Sequence, residues 1–294
     1  MKNMFRGVYT ALVTPFDEQG NVDEAALRRL VDFQIENGIS GLLPTGTTGE
    51  SPTLSHDEHI RVVEIVIDQA NGRVPVIAGT GSNSTQEAIY MTKKAADAGA
   101  DATLQVCPYY NKPTQHSLVQ HFTTIANEGG LPVIVYNIQG RTGVNIETST
   151  LLRLADNDNI VGVKEASGNF NQMLDVVRST PKGFSVLSGD DNLAVPLTIM
   201  GGQGVISVLS NFLPKEMSQM IKAALAGNVS EAQRSHYHYM DLMKAMFIET
   251  NPVPVKATMA MMGMITEKYR LPLSPMTTEH TDQLQRILSA YQII

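Results

Sequence analysis

The residues that could do chemistry gather around one lysine. Lys164 ends the run Asn159-Ile160-Val161-Gly162-Val163-Lys164, whose β-branched residues read as a short buried strand. An ammonium leaves water reluctantly, so burial lowers its pKa, and a neutral amine is a nucleophile that condenses with carbonyls. A lysine whose stem packs while its head reaches solvent is the plainer reading of the same run. Gly46-Thr47-Thr48-Gly49-Glu50-Ser51 offers consecutive N–H groups as an anion cradle and hydroxyls that donate, accept or relay protons. The same composition also makes ordinary structural turns. Pro108-Tyr109-Tyr110-Asn111, Tyr136-Asn137, Arg141-Thr142-Gly143, Ser188-Gly189-Asp190-Asp191 and Ile206-Ser207 add phenols, a guanidinium and carboxylates. Each tyrosine taken alone is equally a packed ring with a satisfied hydroxyl.

Other chemistries lack their residues. His56-x-x-His59 has no third ligand at a metal-binding spacing, and no metal is expected. Asp190-Asp191 reads as a helix cap with favourable dipole placement rather than a cation site. Cys107, the single cysteine, follows Leu104-Gln105-Val106 and is expected to be buried and inert; one cysteine forms no intrachain disulfide and fits a reducing compartment. There is no phosphate-binding loop and no basic–aromatic patch for nucleic acid.

The elements that must position these residues alternate. Strand-like runs fall at 7–14, 39–43, 74–78, 102–106, 131–136, 160–164, 184–188 and 204–208. Helix-like periodicity fills the segments between them and continues over 214–225. Ser55 with Glu58 is a capping box, and Gly38 and Gly99 are helix stops. Eight strand–helix units imply parallel strands joined by right-handed crossovers. Strands that are apolar on both faces fit an α/β fold, a closed (β/α)8 TIM barrel over residues 1–228. A doubly wound sheet is the alternative, although the first turn lacks a Gly-x-Gly-x-x-Gly fingerprint. Residues 229–294 read as a C-terminal appendix of three helices, 230–248, 253–265 and 277–291, with the methionines of 256–264 as packing. In such a barrel the reacting groups lie where strands meet the following loops, so these motifs would share one mouth.

Composition sets the outer bounds. The 294 residues are 43% hydrophobic, enough for a large core, and only 17% charged, which points to surface buried between subunits. A net charge of −7 argues against nucleic acid or an anionic membrane as partner. Met1 to Arg6 contain no apolar leader segment, and no apolar run approaches the roughly 18 residues of a membrane span, so a cytoplasmic location is expected.

With the motifs assembled, the chain resembles the dihydrodipicolinate synthase family of pyruvate-dependent class I aldolases and lyases. The resemblance runs from Gly7-Val8-Tyr9-Thr10-Ala11-Leu12-Val13-Thr14-Pro15-Phe16 to the C-terminal helices. It implies that Lys164 forms a Schiff base with pyruvate, and that no cofactor is needed beyond this covalent imine. It implies that the N–H groups of Thr47 and Thr48 hold the pyruvate carboxylate, and that Thr48, Tyr136 and Tyr110 relay protons. By the same resemblance Tyr110 reaches into a neighbouring subunit, Arg141 binds L-aspartate 4-semialdehyde, and the carbonyls of Gly189 and Ile206 line the pocket. The product would be 4-hydroxy-tetrahydrodipicolinate, on the diaminopimelate route to lysine, and the assembly a homotetramer built as a dimer of dimers.

The resemblance also implies a feedback site for L-lysine formed by Ser51, His56, His59, Asn83, Glu87 and Tyr109, where the plainer reading is a solvated dimer seam. Two positions depart from the family pattern: Gln139 stands where proline is usual, removing a restraint on the loop that presents Arg141, and Pro52 where a small residue is frequent. A retro-aldol lyase acting on a sugar acid or a 4-hydroxy-2-oxo acid is the alternative function. Thr47 and Arg141 favour the synthase, and a catalytically silent barrel is disfavoured by the presence of the whole set.

Overall fold

The computed structural model describes residues 5–294; the expectation about a leader falls mainly on Met1 to Met4, outside the described residues. The strands are β1 (Gly7–Ala11), β2 (Gly41–Leu43), β3 (Ile77–Gly79), β4 (Ala102–Val106), β5 (Val133–Asn137), β6 (Ile160–Glu165), β7 (Ser185–Ser188) and β8 (Gly204–Ser207). The helices between them are α1 (Glu24–Glu36), α2 (His56–Ala70), α3 (Thr85–Ala98), α4 (Gln115–Glu128), α5 (Gln139–Thr142), α6 (Thr148–Ala155), α7 (Phe170–Ser179) and α8 (Asp191–Ile199). After β8 come α9 (Pro214–Leu225), α10 (Val229–His238), α11 (Met240–Ala245), α12 (Val253–Met261) and α13 (Thr278–Ala290).

All neighbouring strands pair in parallel, in the order β2-β1-β8-β7-β6-β5-β4-β3. A parallel bridge between Leu42 and Val76 joins the two ends, so the sheet closes on itself as a barrel. The doubly wound alternative is thereby excluded. The local signals act as expected on α2 and α3. Ser55 accepts from the Glu58 N–H while Glu58 accepts from the Ser55 N–H, a reciprocal cap on α2. Gly99 ends α3 at φ +95°, where a side chain would be strained.

The barrel interior is a small apolar cluster that includes Tyr9, Leu43, Ile77, Leu104, Ile134, Tyr136, Leu187 and Ile206. A larger cluster runs from β1 and α1 through α9 into the C-terminal helices, including Met243, Val255, Met259 and Leu284. Those helices therefore pack on the flank of the barrel instead of standing apart from it.

Two sequence expectations change. The helix expected over 230–248 is broken at Tyr239, where φ −96° and ψ 6° leave the helical region. The Tyr239 ring packs edge-on against the adjacent His238 and stacks on Tyr291 at 6.3 Å between centroids, the second contact made by tertiary packing. The appendix thus has four α-helices among the described residues rather than three. Residues 139–142, expected as loop, form the single turn α5, closed by bonds from Arg141 N and Thr142 N to Ile138 O.

Candidate active site

Lys164 stands near the end of β6, and β6 pairs with β5 so that Lys164 lies level with Tyr136. That register sets the ammonium nitrogen 4.2 Å from the centre of the Tyr136 ring. Lys164 is only 6% exposed, which decides between its two readings: the head does not reach solvent. Burial pushes its pKa down to about 8, with Asp190 and Asp191 pulling the other way. Gly189, just past β7, leaves the room the lysine needs. A Cβ there would lie 2.6 Å from the Ala166 Cβ and 3.1 Å from the Lys164 Cε.

The Tyr136 phenol is fully enclosed and raised far above its ordinary pKa, first by burial and then by Asp190. The Thr47 side chain lies near enough to oppose that rise. Thr48 is buried, and its hydroxyl accepts from the Asn251 side-chain amide at 3.0 Å. Of the two threonines expected at the site, Thr48 is thus tied to Asn251 and Thr47 lines the cavity beside Tyr136. Ile206 is buried in β8.

Arg141, exposed on α5, donates from Nη2 to the carbonyl of Asn251 at 3.1 Å. At Gln139, where proline was expected, the turn is held by hydrogen bonds: Gly143 N–H donates to Gln139 O, and the Thr142 hydroxyl donates to Ile138 O. Tyr110 is not brought to Lys164 within the chain. It lies 90% exposed in the β4–α4 loop with φ +71°, a left-handed backbone uncommon for an aromatic residue.

A cavity of about 380 Å³ continues from this site. Thr47, Tyr136 and Arg141 line it, and so do Ser51, His56, His59, Glu87 and Tyr109. His56 Nε2 meets Glu87 Oε1 at 2.7 Å, and Ser82 donates to the other carboxylate oxygen. The Ser82 bond, then His56, hold the Glu87 carboxyl below its usual range. His59 is buried with its pKa lowered by desolvation, so its neutral ring donates Nε2–H to the Gly79 carbonyl at 2.6 Å. Asn83 donates to the Tyr109 carbonyl at 3.2 Å and accepts, through its own carbonyl, from Asn111. Cys107 is buried and pushed up to about 12 by desolvation, which leaves it a thiol.

Sequence reasoning missed three contributors. Asp190 and Asp191 were read as helix caps. Asp190 does occupy the N-cap position of α8 but makes no side-chain cap bond, and burial raises it to about 6 beside Lys164. Asp191 is buried and accepts from the N–H groups of Val208 and Leu209, tying α8 to the end of β8. Asn251 looked like part of a Pro-rich break between helices, and no local signal marks it. Among the described residues no cluster of His, Cys, Asp and Glu is arranged to hold a metal ion, and no helix is long and apolar enough to cross a membrane.

Residues 4–291 match the dihydrodipicolinate synthetase family. The chain is 55% identical to the 4-hydroxy-tetrahydrodipicolinate synthase of Syntrophus aciditrophicus, over 99% of this chain and 100% of that one. It superimposes on the chloride-inhibited dihydrodipicolinate synthase of Acinetobacter baumannii complexed with pyruvate, with a TM-score of 0.97, 43% identity and coverage of 98% and 99%. The lysine-bound enzyme of Cyanidioschyzon merolae matches with a TM-score of 0.96, 44% identity and 99% of both chains.

Proposed function

The chain belongs to the dihydrodipicolinate synthetase family, and we propose that it is a lyase-class enzyme forming 4-hydroxy-tetrahydrodipicolinate from pyruvate and L-aspartate 4-semialdehyde. The observation that carries the reading is the buried Lys164 amine, depressed to about 8 and held level with the Tyr136 phenol.

The neutral amine adds to C2 of pyruvate, and loss of water leaves a protonated imine. The imine draws electrons from the methyl group, which gives up a proton and becomes an enamine. The enamine carbon attacks the aldehyde carbon of the semialdehyde and forms the new C–C bond. The amino group carried by that substrate then attacks the imine carbon, closes the ring and releases Lys164 as an amine. No metal or organic cofactor takes part in this scheme.

Protons enter and leave through the pair Thr47–Tyr136, which the geometry favours over Thr48, with the partner subunit's Tyr110 as the outer member. Tyr110 is too exposed to serve its own chain as it stands, which supports a shared site in a dimer or dimer of dimers. A phenol this far above neutrality works only inside such a hydroxyl chain. The turn N–H groups and the Thr48 hydroxyl hold the pyruvate carboxylate, the Gly189 and Ile206 carbonyls line the pocket, and Arg141 takes the semialdehyde carboxylate. We assign L-lysine to the His56–Glu87 end of the cavity, where a carboxylate can pair with an ammonium. Ser51, His59, Asn83 and Tyr109 surround that end, which is the basis of feedback inhibition. The reaction fits a cytoplasmic enzyme.

Borohydride reduction in the presence of pyruvate should leave a mass adduct on Lys164. An assay coupling pyruvate to semialdehyde consumption should show turnover that falls in millimolar lysine. An unmodified Lys164 would remove the imine mechanism. Pyruvate release from sialic acid without semialdehyde consumption would favour the retro-aldol alternative, and indifference to lysine would remove the effector site alone.

A further inference from the structure

The C-terminal helices reach the threonine turn at two buried points. Lys256 of α12 is wholly buried and its ammonium lies 2.5 Å from Glu50 Oε1 and 3.1 Å from the Thr14 carbonyl. Just before α12, Asn251 is 5% exposed and uses both its side chain and its main chain. The amide Nδ2 donates to Thr48 Oγ1 at 3.0 Å, and the backbone carbonyl accepts from Arg141 at 3.1 Å. Its Oδ1 is buried and has no partner among the described residues. The N–H given to Thr48 is therefore the one side-chain hydrogen bond Asn251 makes among the described residues.

We infer that Asn251 is a positioning residue that fixes the polarity of the Thr48 hydroxyl, making it a donor to the carboxylate of the keto acid. The inference rests on the reading of Thr48 as a carboxylate-binding residue. A hydroxyl has one proton and two lone pairs. The Asn251 N–H fills the acceptor side, so the Thr48 proton is left for another partner. A carboxylate only accepts, so a hydroxyl set as donor binds it, and one set as acceptor repels it. The same residue holds Arg141 through its main chain, which no substitution at 251 removes. The side chain therefore serves the pyruvate end of the site and the backbone serves the semialdehyde end.

The two functions separate in steady-state kinetics of the full-length enzyme with each substrate varied. Thr48→Val should raise KM for pyruvate about ten- to a hundredfold, the loss of one hydrogen bond to a charged group, and Asn251→Ala about three- to tenfold, since it removes only the bond that orients that hydroxyl. KM for the semialdehyde should stay within about twofold, because the Arg141 contact is made by the backbone. Asn251→Asp should raise pyruvate KM beyond the alanine variant, since its carboxylate accepts the Thr48 proton and turns lone pairs toward the substrate. A merely structural role would raise both KM values together. If Thr48→Val leaves pyruvate KM unchanged, the carboxylate reading of Thr48 fails. If Thr48→Val raises it while Asn251→Ala does not, the positioning role alone is overturned. If the alanine variant does not fold, Asn251→Asp carries the same comparison, and an unchanged pyruvate KM in it overturns the inference.

Discussion

At Lys164 two effects oppose each other, and their balance sets the working pH. Burial favours the neutral amine, while Asp190 and Asp191 favour the ammonium; burial wins, and the pKa rests at about 8. In the proposed mechanism only the neutral amine attacks pyruvate, so kcat/KM for pyruvate should rise with pH through a limb near 8. Asp190→Asn removes the negative charge that Lys164 feels most strongly, which lowers the lysine pKa further. The limb should then move to lower pH, read from the profile of kcat/KM. A limb that stays in place or moves up would show that Asp190 does not act on the amine through its charge.

At the scale of elements, the threonine turn is held in place by α12. Glu50 sits in a left-handed conformation at φ +53° and its carboxylate pairs with Lys256, both side chains fully buried. The Lys256 ammonium also lies over the Phe16 ring at 4.3 Å, so the charge is surrounded on several sides. Removing one partner leaves the other as an uncompensated buried charge. Lys256→Met should destabilise the fold by about 3–5 kcal/mol in chemical denaturation. The double variant Lys256→Met with Glu50→Gln should recover much of that loss, because no lone charge remains. Additive losses in the double variant would mean that the two side chains stabilise the turn independently.

At the scale of the whole molecule, the proposed site draws on two copies of the chain. Tyr110 projects into solvent from a strained loop, and its neighbour Tyr109 lines the cavity that holds His56 and Glu87. Complementation tests whether a second copy supplies the phenol. Lys164→Ala and Tyr110→Phe are each expected to be nearly inactive alone. Refolded together, mixed dimers contain one site with its own Lys164 and the partner subunit's Tyr110, and activity should return to about a quarter of the unaltered enzyme. No recovery on mixing would place Tyr110 in its own chain's site, and an active Tyr110→Phe variant alone would place it outside the chemistry.

The sequence by itself determined the barrel and which polar residues stand at its strand ends. Eight β-branched runs spaced by helical periodicity admit few arrangements, and strand ends collect their residues at one mouth whatever the loops do. Lys164, Tyr136 and Arg141 were legible because each follows or ends a strand with a recognisable pattern. Tertiary structure alone decided that the Thr48 hydroxyl meets Asn251, because direction within a tight turn depends on what packs around it. It also decided the break at Tyr239, made by a stack with Tyr291 more than fifty residues away in the chain. Asn251 and Lys256 were hidden for the same reason. Each meets its partner across some two hundred residues of sequence, and no local spacing records a contact formed only when the last helices close against the first turns.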